Sequence, residues 1–531
     1  MDILAHITER ISEHSYHLLI ISTIFLFTWY KSVKGGFLID DDFGIQQFSD
    51  KWRPEGKDQS GVVPELKVDY YNQETGKDDQ GKPIITTFKN LQYNPTLGFP
   101  GAFMRWHRLH IGKEFKQIAK DKKEHEVYGY VQSPFKHHVW SLIVHYSILV
   151  LAYLFLSKLF GSSIALTSVC IFAVHPVSTQ CVAWISGINY LYCLFFALSN
   201  FVLVQNVSNF YITIPLTVFF SFASGMTLLP GCFNCVILLL LGRPWEAFSS
   251  LLVSLLVFVR DGLGAVNFRK KNFKEQNMEK SIFFNFRKPI VILKTLWYYV
   301  CLMLVPSNLG LYHEFGYHYD EKMERMNWYA IRGLLALASL VYFALNGPFI
   351  VTFSIVWMMV YWLVFSNIIT ANQFVVERYI FIPSFGFSIL ASYLLKDYPI
   401  ILWFVIGLYM SRTMGHIWTY LSHKDFYWSN YLNFRNSEVA LGNLGVVNIN
   451  EGKAGTAIDT WQQASQVNPF YDVAWYNLYS VFRSHGMLQE AKQFMENCLK
   501  SKTIHFKDRW EKEYKEICEL VNKSSKPLIM R

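Results

Sequence analysis

The chain has 531 residues and a formal net charge of +9, with 52% hydrophobic, 17% aromatic and only 17% charged residues. A soluble domain carries about 25% charged residues, so the composition excludes an ordinary soluble enzyme and indicates a polytopic membrane protein. The excess of cations then reads as loop charge facing a lipid surface, and no nucleic-acid partner is expected.

The chain opens with a short polar stretch and an apolar run over about 17–32. It lacks a cleavable signal pattern and is predicted to be an uncleaved anchor. Gly35-Gly36-Phe37-Leu38-Ile39-Asp40-Asp41-Asp42-Phe43 follows at once. Ionisable groups at a membrane boundary are candidate sites; the alternative is a solvated acidic cap that only stops the helix. Residues 44–136 form a long polar segment, and a loop of that length is usually functional. Its Arg105, Trp106, His107, Arg108 and His110 suit an amphipathic surface helix or, equally, a plain loop.

Apolar runs then cover about 137–159, 162–177, 188–205, 209–224, 226–242, 246–260, 288–306, 330–346, 349–370, 380–396 and 399–413, giving twelve candidate spans with the first. Run 246–260 is the weakest, and the basic stretch after it, from Arg260 to Lys288, prefers the cytoplasm. With the N-terminus inside and 246–260 not crossing, eleven spans remain. The acidic triplet, His175-Pro176, Glu377-Arg378 and the whole tail then lie outside. If 246–260 crosses, the tail becomes cytoplasmic. Cys232 and Cys235 have CxxC spacing inside an apolar run with no second pair, so no metal or redox site is expected there. No cofactor is indicated, although Asp40–Asp42 could bind a divalent ion as carboxylate sites do.

In the tail, residues 438–471 and 472–505 repeat with an offset of 34: Leu444 to Leu478, Ala457 to Ala491. That is tetratricopeptide (TPR) spacing, and Phe506–Asn522 would supply a capping helix. Both a brace for the membrane part and a peptide-holding groove fit. The expected organisation is an N-terminal segment with the first transmembrane helix (1–36), an extracytoplasmic loop with the acidic motif (37–136), a transmembrane bundle (137–415), a linker (416–437) and a TPR-like domain with a capping helix (438–531).

Four stretches carry a resemblance: Phe37-Leu38-Ile39-Asp40-Asp41; the helix from His138 to His145; Phe172-Ala173-Val174-His175-Pro176 through Gln180 and Trp184 to Gly187; and Glu377-Arg378-Tyr379 through Pro383 to Gly386. With the tail, they resemble the TMTC-type protein O-mannosyltransferases and their bacterial relatives, within the GT-C glycosyltransferases. The resemblance implies an all-α polytopic membrane fold, a GT-C bundle of about eleven helices with its active site at the outer face. It implies a polyprenyl-phosphate-linked sugar donor, mannose or similar, and inverting transfer to a protein Ser or Thr hydroxyl, or alternatively to a glycan or lipid, with no cofactor. A peptide acceptor could be held by the TPR-like domain. The implied location is a bacterial inner membrane with periplasmic site and tail, or the endoplasmic reticulum membrane with both in the lumen.

The residues fit that chemistry. Asp40 or Asp41 can take the acceptor proton. Arg378 and Arg412 can meet the charge of the leaving lipid phosphate bidentately. His138 and His145 lie seven residues apart on one helix face and could contact phosphate or sugar hydroxyls, or be core residues. His175 suits a ligand or a turn. Glu377 is expected to orient Arg378 as an ion pair, functional or purely structural. The chain departs from the pattern at Gln180, where relatives have Glu, and at Ile188 and Tyr190, where they have Arg and an acid. It also has Ser224-Gly225-Met226 in place of Ser-Lys-Glu. This is compatible with a different sugar or acceptor, with compensation by Arg105, His107 and Arg108, or with a non-catalytic scaffold whose tail binds other proteins. A transporter is disfavoured because the spans show no two-fold internal repeat.

Overall fold

Backbone groups inside a bilayer have no water to bond, so an apolar chain must form helices there. The computed structural model describes residues 2–38, 41, 98–120, 126–224, 233–257, 289–311, 313, 327–363, 365–366, 375–434, 437–469, 471–500 and 507–524, and each of the twelve apolar runs contains a helix. The first is α1 (Asp2–Trp29). After the long polar segment come α2 (Gly98–His110), strands β1 (Lys113–Lys120) and β2 (Glu126–Gln132), α3 (Pro134–Phe160) and α4 (Ser162–Val174). The short helix α5 (Thr179–Val182) leads through the turn Ile185–Gly187 into α6 (Ile188–Asn206). The bundle continues with α7 (Phe210–Ser224), α8 (Asn234–Leu240), α9 (Pro244–Val257), α10 (Pro289–Leu304), α11 (Asn327–Asn346), α12 (Phe349–Leu363), α13 (Phe381–Leu395) and α14 (Pro399–Ile417).

Among the described residues, five stretches are long and apolar enough to cross a membrane: Pro134–Phe160, Ile185–Asn206, Trp328–Asn346, Glu377–Leu395 and Pro399–Tyr420. The pair Ser162–Val174 and Pro176–Val182, bent by 55°, makes a sixth if it is one broken span. Four more apolar helices, Phe210–Ser224, Pro244–Leu256, Pro289–Leu304 and Phe349–Leu363, are shorter. The architecture is that of an integral membrane protein, with six such spans at most among the described residues where the sequence predicts eleven.

The core runs through α1, α3, α4, α6, α12 and α13 and is largely aromatic, with Trp29, Tyr153, Phe172, Phe201 and Trp357 fully buried. The indole N–H groups of Trp29 and Trp357 donate to Ala173 O and Ile382 O, both at 2.9 Å, so these rings are buried without an orphaned donor.

The polar segment departs from an all-α expectation. Of the two readings of Arg105–His110, the helix is the one found. It is followed by an antiparallel hairpin in which Phe115 pairs with Tyr130 and Gln117 with Tyr128. Alternating aromatic and polar residues suit a pleated strand, a period easily lost in a long polar stretch.

After α15 (His423–Asn433), five helices form the tail: α16 (Glu438–Asn450), α17 (Ala454–Val467), α18 (Asp472–Ser484), α19 (Leu488–Lys500) and α20 (Lys507–Ser524). The 34-residue offset is reproduced in the helix starts, Glu438 to Asp472 and Ala454 to Leu488. It recurs in the turns, where Gly452 and Gly486 both take φ +75°, a conformation that favours glycine. Leu444, Leu478, Ala457 and Ala491 are all buried. Ala440, Leu444 and Val447 of α16 share one apolar cluster with Leu38, Trp184, Val376 and Tyr420, so the tail is docked on the end of the bundle that carries the acidic corner.

Candidate functional site

Past α1, Gly35 and Gly36 carry the chain across the top of α3. A Cβ on Gly35 would stand 2.7 Å from His138 Nε2 and 3.1 Å from Tyr420 O, so the close approach requires glycine. Gly36 N donates to Leu421 O at 3.2 Å. The chain then turns so that Asp41 N donates to Leu38 O at 3.0 Å.

Asp41 is fully buried, which removes the solvated-cap reading for this residue. Its Oδ1 accepts the Ser186 backbone N–H at 2.9 Å and the Ser186 hydroxyl at 2.5 Å, and its Oδ2 accepts Leu38 N–H at 2.9 Å. Ser186 sits in the turn that opens α6, so the carboxylate lies at the positive end of a helix. Three of its roughly four acceptor positions are thereby filled. Gly187 allows this turn to sit on α5, since a Cβ there would be 2.6 Å from Gln180 O. Asp40 and Asp42 lie outside the described residues.

Trp184 joins this corner to Arg378. Its indole Nε1 donates to Leu38 O at 3.2 Å, and its ring faces the Arg378 guanidinium carbon at 5.4 Å. Tyr379, stacked on Phe365 at 4.3 Å, offers the guanidinium a second ring at 5.4 Å. Arg378 N donates to Gln180 Oε1 at 2.8 Å, and the Arg378 side chain hydrogen-bonds Tyr190. Gln180 and Tyr190 thus meet at this one arginine. A neutral glutamine takes the N–H of Arg378 without neutralising its charge.

Glu377, expected to orient Arg378, engages other groups. One oxygen accepts Gly310 N–H, the other is 3.1 Å from His416 Nε2, and His313 Nε2 is 3.8 Å away. Burial pushes the His313 imidazole down to about 4 from an ordinary 6.5, against the pull of Glu377, so it is neutral near pH 7. Its Nδ1 is hydrogen-bonded to the Tyr298 hydroxyl at 2.8 Å.

His175 and Arg412 converge on the end of α10. His175 Nε2 meets Met303 O at 2.9 Å, Arg412 Nε donates to Pro306 O at 3.1 Å, and a second Arg412 nitrogen donates to Ser307 O. The Tyr409 hydroxyl donates to Met303 O and Leu304 O at 3.0 and 2.9 Å. Carbonyls at a helix C-terminus lack intrahelical partners, and these groups supply them.

His138 and His145 are both buried on α3, His138 beneath Gly35 and His145 among Phe25, Trp29, Phe172 and Phe381. Neither ring nitrogen of His145 has a hydrogen-bond partner among the described residues, and the same holds for Ser141 Oγ, whereas His138 interacts with the backbone of Gly35 and Gly36. Buried polar atoms are normally paired, which sets His145 and Ser141 apart on this helix face.

From the long segment, His107 reaches the same helix end. Its Nδ1 is 2.9 Å from the Tyr192 hydroxyl, which also accepts Trp140 Nε1–H at 2.6 Å, and its ring lies 5.4 Å from that of His137. Burial pushes His107 down to about 3. Arg108 is buried beside it, and the Arg105 side chain lies outside the described residues.

Sequence reasoning missed Ser186, His313 and His416. His416 lies one helical turn beyond Arg412, but nothing in its neighbourhood signals a partner 39 residues away. Among the described residues no group of three or more His, Cys, Asp or Glu could hold a metal ion. Gly225, Met226 and Cys232 lie outside the described residues. No family model matches the sequence, and no curated protein matches it.

Proposed function

We propose that the chain is a GT-C-type membrane glycosyltransferase that moves a sugar, mannose or similar, from a polyprenyl-phosphate donor to a protein Ser or Thr hydroxyl with inversion. The observation that carries this reading is the indole of Trp184, which bonds the Asp41 corner at its edge and faces Arg378 across its ring. The loop that carries Asp41 and the Arg378 guanidinium thus both contact one rigid group.

The reaction needs a carboxylate base and a cation at the phosphate. The acceptor oxygen attacks the anomeric carbon opposite the phosphate, and a carboxylate takes its proton. The bond from that carbon to the phosphate oxygen breaks, the oxygen keeps the electron pair, and Arg378 meets the resulting charge. With Asp41 held by three donors, its role in this scheme is to fix the loop. Asp40, next in sequence, is the base. His138 and His145 bond donor phosphate or sugar hydroxyls, while His175, Arg412 and Glu377 frame the site. The scheme uses no cofactor.

The finer organisation belongs to the same proposal: eleven crossings, with the acidic corner and the tail outside, in a bacterial periplasm or an endoplasmic reticulum lumen. The 34-residue offset supports TPR-like repeats that hold the protein acceptor.

One observation favours a second reading, a non-catalytic scaffold: the acidic residue seen in place is already largely occupied by protein donors. The two readings separate on labelled polyprenyl-phosphate mannose and a Ser/Thr peptide offered to the full chain in lipid nanodiscs. Sugar transfer that is lost in Asp40→Asn, by about 10²-fold or more for removal of a base, supports the enzyme. Absence of both donor binding and transfer in the unaltered chain supports the scaffold.

A further inference from the structure

We infer that the β1–β2 hairpin is a membrane-docking blade whose aromatic face seats in the headgroup layer of an anionic lipid leaflet. This does not rest on the transfer reaction. It requires only that Pro134–Phe160 crosses a bilayer, as its length and apolarity allow.

The hairpin is fixed to the start of that span. Only Ser133 separates β2 from α3, and Ser133 N donates to Gly112 O at 2.7 Å. Lys136, in the first turn of α3, donates to Lys113 O at 3.0 Å and lies 3.4 Å from Glu114. Gln132 Oε1 meets His137 Nε2 at 3.2 Å. A rigid root at the first turn of a span holds the hairpin at the membrane boundary.

Its two faces differ. Gly129 and Val131 are buried against the protein. On the other face Phe115, Tyr128 and Tyr130 are 64%, 52% and 43% exposed, and they form one patch. Phe115 meets Tyr130 edge-on at 5.2 Å and stacks on Tyr128 at 6.0 Å, and Lys113 Nζ lies 3.7 Å over the Tyr130 ring. Three large rings in water would be an unusual apolar patch. Tyrosine rings with a polar edge, beside a phenylalanine and flanked by lysine, are the composition that settles at headgroup depth, and Lys113 over the Tyr130 ring complements anionic lipid. Phe135 and Ile143, 55% and 50% exposed and eight residues apart on one side of α3, continue an apolar surface downward from the root.

The test is the immersion depth of spin labels on the full chain, with Cys232, Cys301 and Cys518 replaced by serine, in nanodiscs of phosphatidylcholine and phosphatidylglycerol. A label on Phe115→Cys should collide with oxygen more often than with a nickel chelate. A label on Lys116→Cys, on the other strand face, should show the reverse. Adding Lys113→Glu, or omitting phosphatidylglycerol, should move the 115 label toward the value at 116. A 115 label as open to the nickel chelate as the 116 label overturns the proposal. So does one shielded from both reagents, since the face is then covered by protein or glycan rather than lipid.

Discussion

Ser186 gives both its backbone N–H and its hydroxyl to one oxygen of Asp41, at 2.9 and 2.5 Å, across 145 residues of sequence. That contact ties the loop after the first helix to the start of α6 and places a carboxylate where the helix dipole favours it. In the proposed reaction this leaves Asp41 to hold the loop and Asp40 to act as base.

Asp41→Ala should therefore act first on stability. It strands the N–H groups of Leu38 and Ser186 in a buried site, which costs on the order of 2–4 kcal/mol. Ser186→Ala removes only the hydroxyl and should cost about 1 kcal/mol. Asp40→Asn should leave the unfolding temperature near that of the unaltered chain while removing transfer. Thermal unfolding in detergent beside a transfer assay reads both; equal loss of stability in the Asp40 and Asp41 variants would contradict this division.

Arg378→Lys keeps the charge and loses the fork and the flat surface that faces Trp184 and Tyr379. A charged hydrogen bond is worth about 1.5–3 kcal/mol, so donor affinity should fall roughly 10- to 100-fold. Arg412→Lys, acting on the Pro306 and Ser307 carbonyls, should change donor affinity little and lower thermal stability instead. Titration with polyprenyl-phosphate sugar distinguishes them.

Gly187→Ala should destabilise by about 1–3 kcal/mol, because the new methyl meets backbone, Gln180 O at 2.6 Å and Cys181 Cα at 2.9 Å, which cannot rotate away. Gly407→Ala, where nothing lies within 4 Å, is the control and should be neutral or slightly stabilising. Unfolding temperatures of the two variants give the answer.

Acid should destabilise the protein through His107 and His313. Burial holds their folded values at about 3 and about 4, below the ordinary 6.5. The unfolded chain therefore binds these protons first. The stability they contribute is complete above about pH 6.5 and is lost as pH falls from there toward the folded values. His313→Gln should flatten the fall in unfolding temperature between pH 6.5 and 4 relative to the unaltered chain; an unchanged slope would remove His313 from the account.

The helices were legible because a membrane forces apolar sequence into helix, and the tail because Leu444, Ala457 and their counterparts repeat at a fixed period. The hairpin was not, since its Lys113-Glu114-Phe115-Lys116 lies in a long polar segment with no apolar run to mark it. Sequence singles out Arg378, but Gln180 and Tyr190 read there as lost charges rather than as its partners. Sequence pairs Glu377 with the arginine beside it, whereas the chain brings Gly310, His313 and His416 to its carboxylate. Adjacency in sequence is a poor guide in a turn such as Glu377–Ile380, where successive side chains leave in different directions.

In the proposed function the chain transfers a sugar from a lipid phosphate, with Arg378 beside Trp184 at the leaving group. The most direct measurement of this is the release of polyprenyl phosphate from labelled polyprenyl-phosphate mannose by the full chain in nanodiscs, with and without a Ser/Thr peptide. The account predicts peptide-dependent release that disappears in Asp40→Asn and in Arg378→Ala while both variants remain folded. Folded protein that neither binds the donor nor releases the phosphate, or release undiminished in both variants, would contradict it.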